Sequence, residues 1–113
     1  MNSSRNVAPN ILLVICDDLA YGDLACHGNP WSRTPHFDQM KQAGCSLENY
    51  VSGPVCTPAR AALMTGRHPY RTKAIDTYLG RSMIDPNETT LAQFLKQSGY
   101  ATGLFGKWHL GDN

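Results

Sequence analysis

The run Asn10-Ile11-Leu12-Leu13-Val14-Ile15-Cys16 constrains the fold of this chain more than any other stretch. A continuous apolar run of strand length suits a strand covered on both faces, the situation of strands in a parallel sheet. Asp17-Asp18 then stands at the carboxyl end of that strand, where ligands of open α/β sheets collect. Two adjacent carboxylates in that place are suited to a hard cation, whose preferred donors are oxygens. Read by itself, the same pair is also a turn in which Asp side chains accept backbone hydrogen bonds.

Further along, Gly28-Asn29-Pro30-Trp31 has loop chemistry. Thr34-Pro35 carries the signal of a helix N-cap followed by a first helical proline, and Gly44 supplies the stop. Helical spacing places Phe37, Met40 and Lys41 on one side, with Phe37 and Met40 as core and His36 at the surface. Residues 45–51 are expected to form a short strand that enters a Gly53-Pro54 turn. Residues 68–86 lack a period and read as a long connection, with a short helical piece near Tyr78. Thr90-x-x-Gln93 is a capping box, and Leu91, Phe94 and Leu95 form the apolar stripe of a helix that ends near Gly99. Residues 100–105 then read as a second buried strand. It would deliver Gly106-Lys107-Trp108-His109-Leu110-Gly111 to the same sheet edge as Asp17. The alternation of strands and helices argues for an α/β fold with helices packed on a sheet.

The stretch richest in chemistry is Cys56-Thr57-Pro58-Ala59-Arg60-Ala61-Ala62-Leu63-Met64-Thr65-Gly66-Arg67. Thr57 and Pro58 suit an N-cap and first helical residue, which puts Cys56 just outside a helix N-terminus. That end of a helix favours anions and lowers a thiol pKa. One turn on, Arg60 can hold a carboxylate-like or sulfate-like group through two parallel hydrogen bonds. A lone cysteine before an ordinary helix is also a common packing element.

A chain of 113 residues allows one small domain, and its net charge of +1 gives no support for a nucleic-acid or membrane-surface role. The charge is uneven, because Arg60, Arg67, Arg71 and Lys73 fall between Glu48 and Asp76 with no acidic residue among them. The irregular spacing of Cys16, Cys26, Cys45 and Cys56 suggests no disulfide framework and no zinc-binding Cys-x-x-Cys pair. Residues 1–9 are expected to be a disordered N-terminus. The first residues, polar and without an apolar run, resemble neither a signal peptide nor a membrane anchor. Taken literally, that places the chain in the cytoplasm; a truncated start would place it in the periplasm or outside the cell. Glycines 99, 103 and 106 fit neither nucleotide-binding pattern, since Ala101 stands where each needs glycine.

Cys56-Thr57-Pro58-Ala59-Arg60, continued by Leu63-Met64-Thr65-Gly66-Arg67, resembles the Cys-x-Pro-x-Arg signature of the type I sulfatases. Asp17-Asp18-Leu19-Ala20-Tyr21-Gly22-Asp23-Leu24 is similar to the segment that carries that family's first metal-binding aspartates, and Gly106 to Gly111 is similar to its lysine and histidine segment. Ala20, Ala25, His27 and Ala59 stand where other residues are commoner in the family. The resemblance implies an alkaline-phosphatase-like fold, a parallel sheet with helices on both faces, of which residues 10–113 would be an N-terminal part. It also implies that Cys56 is oxidised to Cα-formylglycine by a formylglycine-generating enzyme, and that calcium or magnesium is held by Asp17, Asp18 and the modified Cys56. Arg60 would orient the formylglycine, Lys107 would contact both it and the sulfate, and His109 would hydrogen-bond the hydrated aldehyde.

The chemistry implied is hydrolysis of a sulfate ester, aryl or carbohydrate. One hydroxyl of the hydrated aldehyde attacks sulfur, and the other, once deprotonated, collapses the sulfated intermediate back to aldehyde. The further metal ligands, lysine and histidine of that family have no counterpart here, so the expectation is a fragment incomplete as an enzyme. A phosphate or phosphonate monoester hydrolase of the same superfamily would use this half of the site equally well, and a non-catalytic remnant is the rival of a different class. A Cys-x5-Arg phosphatase loop does not fit, because it needs arginine where Ala62 stands.

Overall fold

A computed structural model describes residues 8–78 and 80–111. Most of the expected disordered N-terminus, residues 1–9, lies outside the described residues. The chain divides into two compact units, Met1–Ala43 and Gly44–Asn113.

The first unit holds two short 3-10 turns, Tyr21–Asp23 and Ala25–His27, and helix α1, Pro35–Ala43. Pro35 opens α1 as expected, since the first helical N–H has no acceptor to lose. The Thr34 hydroxyl serves a wider purpose. It donates to Asp38 Oδ1 (3.2 Å) and accepts the Ala25 N–H (2.9 Å), while the same Asp38 oxygen accepts the Cys26 N–H (3.1 Å). The second 3-10 turn is therefore fastened to the first turns of α1. Asn29 closes the preceding loop, donating to the Gly22 carbonyl (2.7 Å) and accepting the Trp31 and Ser32 N–H groups, each at 3.0 Å. Phe37 and Met40, expected as core, are exposed, because none of the described residues of this unit forms a layer against that face of α1.

The second unit holds α2 (Cys56–Thr65), α3 (Pro69–Thr72) and α4 (Leu91–Gln97), with α2 touching both others. Its core is Ala61, Ala74 and Leu110, against which Met64, Ile84 and Trp108 pack. Gly66 ends α2 in the left-handed conformation that glycine tolerates, its N–H reaching the Ala62 carbonyl (2.8 Å). The helical piece expected near Tyr78 lies earlier, at α3. Tyr78 instead accepts the Arg81 N–H in a turn (2.9 Å). The α4 capping box is present in both directions, with Gln93 N–H to Thr90 Oγ1 (3.3 Å) and Thr90 N–H to Gln93 Oε1 (2.7 Å).

The expected strands over residues 10–16, 45–51 and 100–105 are not formed among the described residues, so the sheet has no counterpart there. A strand satisfies its N–H and C=O groups on a neighbouring strand. These segments have none beside them, and their apolar side chains are exposed, Leu12 to 89% and Phe105 to 99%.

Candidate active site

The site-bearing part of the second unit is the first turn of α2. Thr57 is not its N-cap. That position is Val55, in extended conformation and without a side-chain cap, so Cys56 is the first helical residue. Pro58, third in the helix, lies within the turn whose N–H groups lack intrahelical acceptors, and the first i to i−4 bond runs from Ala59 N–H to the Val55 carbonyl (3.1 Å). Cys56 is half-buried, whereas Thr57 and Pro58 are buried and Arg60 is only 7% exposed. The preceding turn fits closely over this start. A Cβ at Gly53 would lie 3.1 Å from Ala59 N and 3.3 Å from Ala59 Cα, tighter than ordinary contact, so a side chain there would push against the helix backbone.

Residues 107–110 lie along the same turn. Arg60 Nη1 donates to the Lys107 carbonyl (2.7 Å), and Thr57 Oγ1 donates to the His109 carbonyl (2.9 Å). Two helical residues three apart thus hold two carbonyls two residues apart. Leu110 anchors the segment in the core, and its carbonyl accepts the Ile84 N–H (3.1 Å). His109 itself has φ +56°, and its buried Nδ1 has no hydrogen-bond partner among the described residues. Of the residues singled out in sequence, Cys56, Arg60, Lys107 and His109 share this unit and are joined through α2. The Lys107 side chain is exposed.

Asp17 and Asp18 belong to the first unit, in a bend, and both are exposed. Asp18 has φ +55°, a left-handed conformation that aspartate adopts more readily than most residues. Two consecutive carboxylates supply hard oxygen donors, the donor type that calcium and magnesium require.

Charge pairs fasten the connection after α2. Arg67 Nη1 meets Glu88 Oε1 at 2.6 Å, and Lys73 Nζ meets Asp85 Oδ2 at 2.7 Å. The hydrogen bond from Lys73, followed by that from the Asn87 N–H, holds the Asp85 carboxyl below the usual carboxylate range, and Asp85 in turn raises the Lys73 amine. Sequence reasoning did not find the role of Thr57, because its neighbour Pro58 makes it look like a local cap. Trp108 and Leu110 have no reading of their own above, although their apolar bulk beside Lys107 and His109 signals the anchor that the structure shows.

The family described as Sulfatase matches residues 9–113. Arylsulfatase D of Homo sapiens is 47% identical over 93% of this chain and 19% of that protein. Steryl-sulfatase of Rattus norvegicus is 47% identical over 91% of the chain and 19% of its own length. Arylsulfatase A of Homo sapiens is 47% identical over 91% of the chain and 21% of its own length. The chain thus spans about a fifth of the length of these curated relatives. No solved structure gives a significant match.

Proposed function

Since the chain belongs to the sulfatase family, we propose that residues 10–113 are the N-terminal part of the catalytic domain of a sulfuric ester hydrolase that uses Cys56 as formylglycine. The family implies the alkaline-phosphatase-like fold, in which residues 10–16 and 100–105 would become strands once other strands lie beside them. The observation that carries the reading is the joining of the Lys107–His109 segment to the helix start at Cys56 through Arg60 and Thr57.

Each residue of that arrangement has a task. Cys56 at the first helical position, once oxidised, offers its oxygen where helix N–H groups and the helix dipole favour negative charge. Arg60 keeps the Lys107 backbone in place and adds positive charge beneath the modified residue. Lys107 supplies an ammonium to the sulfate oxygens, and His109 donates to or accepts from the nucleophile's hydroxyl group. Asp17 and Asp18, with the modified Cys56, would hold a calcium or magnesium ion, which supplies Lewis-acid polarisation of the sulfate. The substrate class is a sulfate ester, aryl or carbohydrate, of which the relatives' name arylsulfatase supports the aryl.

The reading is tested by expressing the chain together with a formylglycine-generating enzyme and analysing the Cys56 peptide by mass spectrometry. An aldehyde at Cys56 is expected. A thiol there, under conditions that convert a known sulfatase, overturns the reading. Matched aryl sulfate and aryl phosphate esters, offered to the enzyme at the full length of its relatives, should show preference for the sulfate.

A further inference from the structure

Thr57 has a hydroxyl that the chemistry above leaves unused and that the helix does not need. Val55 is the N-cap, and Thr57, wholly buried at the second helical position, donates instead to the carbonyl of His109, 52 residues away. Burial explains why the hydroxyl needs a partner but not why this one serves. Thr72 makes the comparison. It is also wholly buried, and its hydroxyl donates to the Pro69 carbonyl (2.9 Å) within its own turn, a local and structural bond.

The carbonyl chosen by Thr57 belongs to a residue in an uncommon conformation. At φ +56°, His109 adopts the left-handed region, which a side chain other than glycine occupies when its surroundings hold it there. Three contacts do so. Arg60 fixes the carbonyl of Lys107, Thr57 fixes the carbonyl of His109, and Leu110 is locked in the core. The backbone is thus held at the Lys107–Trp108 peptide, one residue before His109, and at the His109–Leu110 peptide that follows it, which restricts the direction in which the side chain leaves the backbone. That ring carries a buried Nδ1 without a hydrogen-bond partner among the described residues, so its packing leaves a polar atom unsatisfied.

We propose that Thr57 is a positioning residue for His109: its hydroxyl holds the histidine's backbone in the left-handed conformation and so aims the imidazole at the group carried by Cys56. The catalytic meaning rests on the sulfatase reading, while the mechanical claim does not. The helix that presents the nucleophile thereby also sets the angle of the histidine.

The test uses the isotopically labelled chain and the variants Thr57→Val, Thr57→Ser and Thr72→Val. Three-bond couplings report φ of His109, and imidazole nitrogen shifts report its ring. Thr57→Val should take His109 out of the left-handed region and move its ring resonances, Thr57→Ser should restore both, and Thr72→Val should lower the melting temperature with His109 unmoved. An unchanged His109 in Thr57→Val, or an equal change in Thr72→Val, overturns the proposal. Should Thr57→Val not fold, the wild-type chain decides. The His109 carbonyl carbon should show a solvent-deuterium shift transmitted through the Thr57 hydroxyl, and its absence overturns the proposal too. In the enzyme at the full length of its relatives, Thr57→Val should lower kcat for an aryl sulfate about 10- to 100-fold with KM unchanged, Thr57→Ser recovering most of it. Failure of Cys56 conversion or of hydrolysis in the unsubstituted protein would count against the sulfatase reading and leave the resonance result standing by itself.

Discussion

Arg60 combines a charge with a structural bond, and the two can be separated by substitution. Its guanidinium is nearly buried and donates to the Lys107 carbonyl at 2.7 Å. A hydrogen bond from a charged group contributes about 1.5–3 kcal/mol, and truncation of a buried side chain adds a cavity. Arg60→Ala should therefore destabilise the chain by about 2–4 kcal/mol in urea unfolding and also suppress aldehyde formation at Cys56. Arg60→Lys keeps the charge but loses the planar fork, so it should recover only part of the stability. Gly53 gives a second case: a methyl group there meets the Ala59 backbone, which cannot yield as a side chain would, and Gly53→Ala should cost about 1–3 kcal/mol. Cys56, Arg60, Lys107 and His109 could be singled out at this scale because they sit in short patterns that resemble those of a family, and the structure places all four in one unit. Thr57 was not legible. Its partner is remote in sequence, and its local context pointed to a cap.

The helices could be read because their signals are local. Thr34-Pro35, Gly44 and the Thr90/Gln93 box mark ends that the structure shows, whereas Thr57-Pro58, expected to open α2, lies inside it. The box matters most for α4, since a helix of 7 residues is too short to persist on propensity alone. Thr90→Ala should cost about 1 kcal/mol and reduce helical circular dichroism, with α2 undisturbed. The strands expected over residues 10–16, 45–51 and 100–105 are not formed among the described residues, where no neighbouring strand accepts their backbone hydrogen bonds. The connection from α3 to α4 was unreadable for another reason: its form depends on ion pairs between residues far apart. One of these, Lys73 with Asp85, predicts a pH dependence. Asp85 has its carboxyl lowered by the hydrogen bond from Lys73, so its contribution is present above the unfolded carboxylate pKa, about 4, and is lost as pH falls through the lower folded value. Lys73 is raised, so its contribution is present below about 10 and is lost as pH rises through the higher folded value. Between those limits the pair should add a small, salt-sensitive stability. Thermal melts of Asp85→Asn should show a weaker acid-side decline than the unsubstituted chain.

At the scale of the whole chain, the described core is small, formed by Ala61, Ala74 and Leu110, while large apolar side chains such as Leu12, Val51 and Phe105 face solvent. Exposed apolar stretches of strand length invite association with any chain that offers a strand edge. The matched length, about a fifth of that of the relatives, is consistent with such surfaces being covered by further sequence in a complete enzyme. The same reasoning applies to the cation. Asp17 and Asp18 are adjacent like charges, and calcium takes six to eight oxygen ligands, more than two carboxylates and one modified residue provide. Calorimetry on the 113-residue chain should therefore give weak calcium binding, and a chromogenic aryl sulfate should show no useful turnover even with Cys56 converted. Binding of a hydrophobic dye should be strong. A protein extended to the length of the relatives should reverse all three results together, because sheet completion, ligand completion and pocket closure would come from the same added sequence. Robust turnover by the 113-residue chain, abolished by Cys56→Ala, would show that this part of the site is catalytically sufficient and that its missing donors are dispensable.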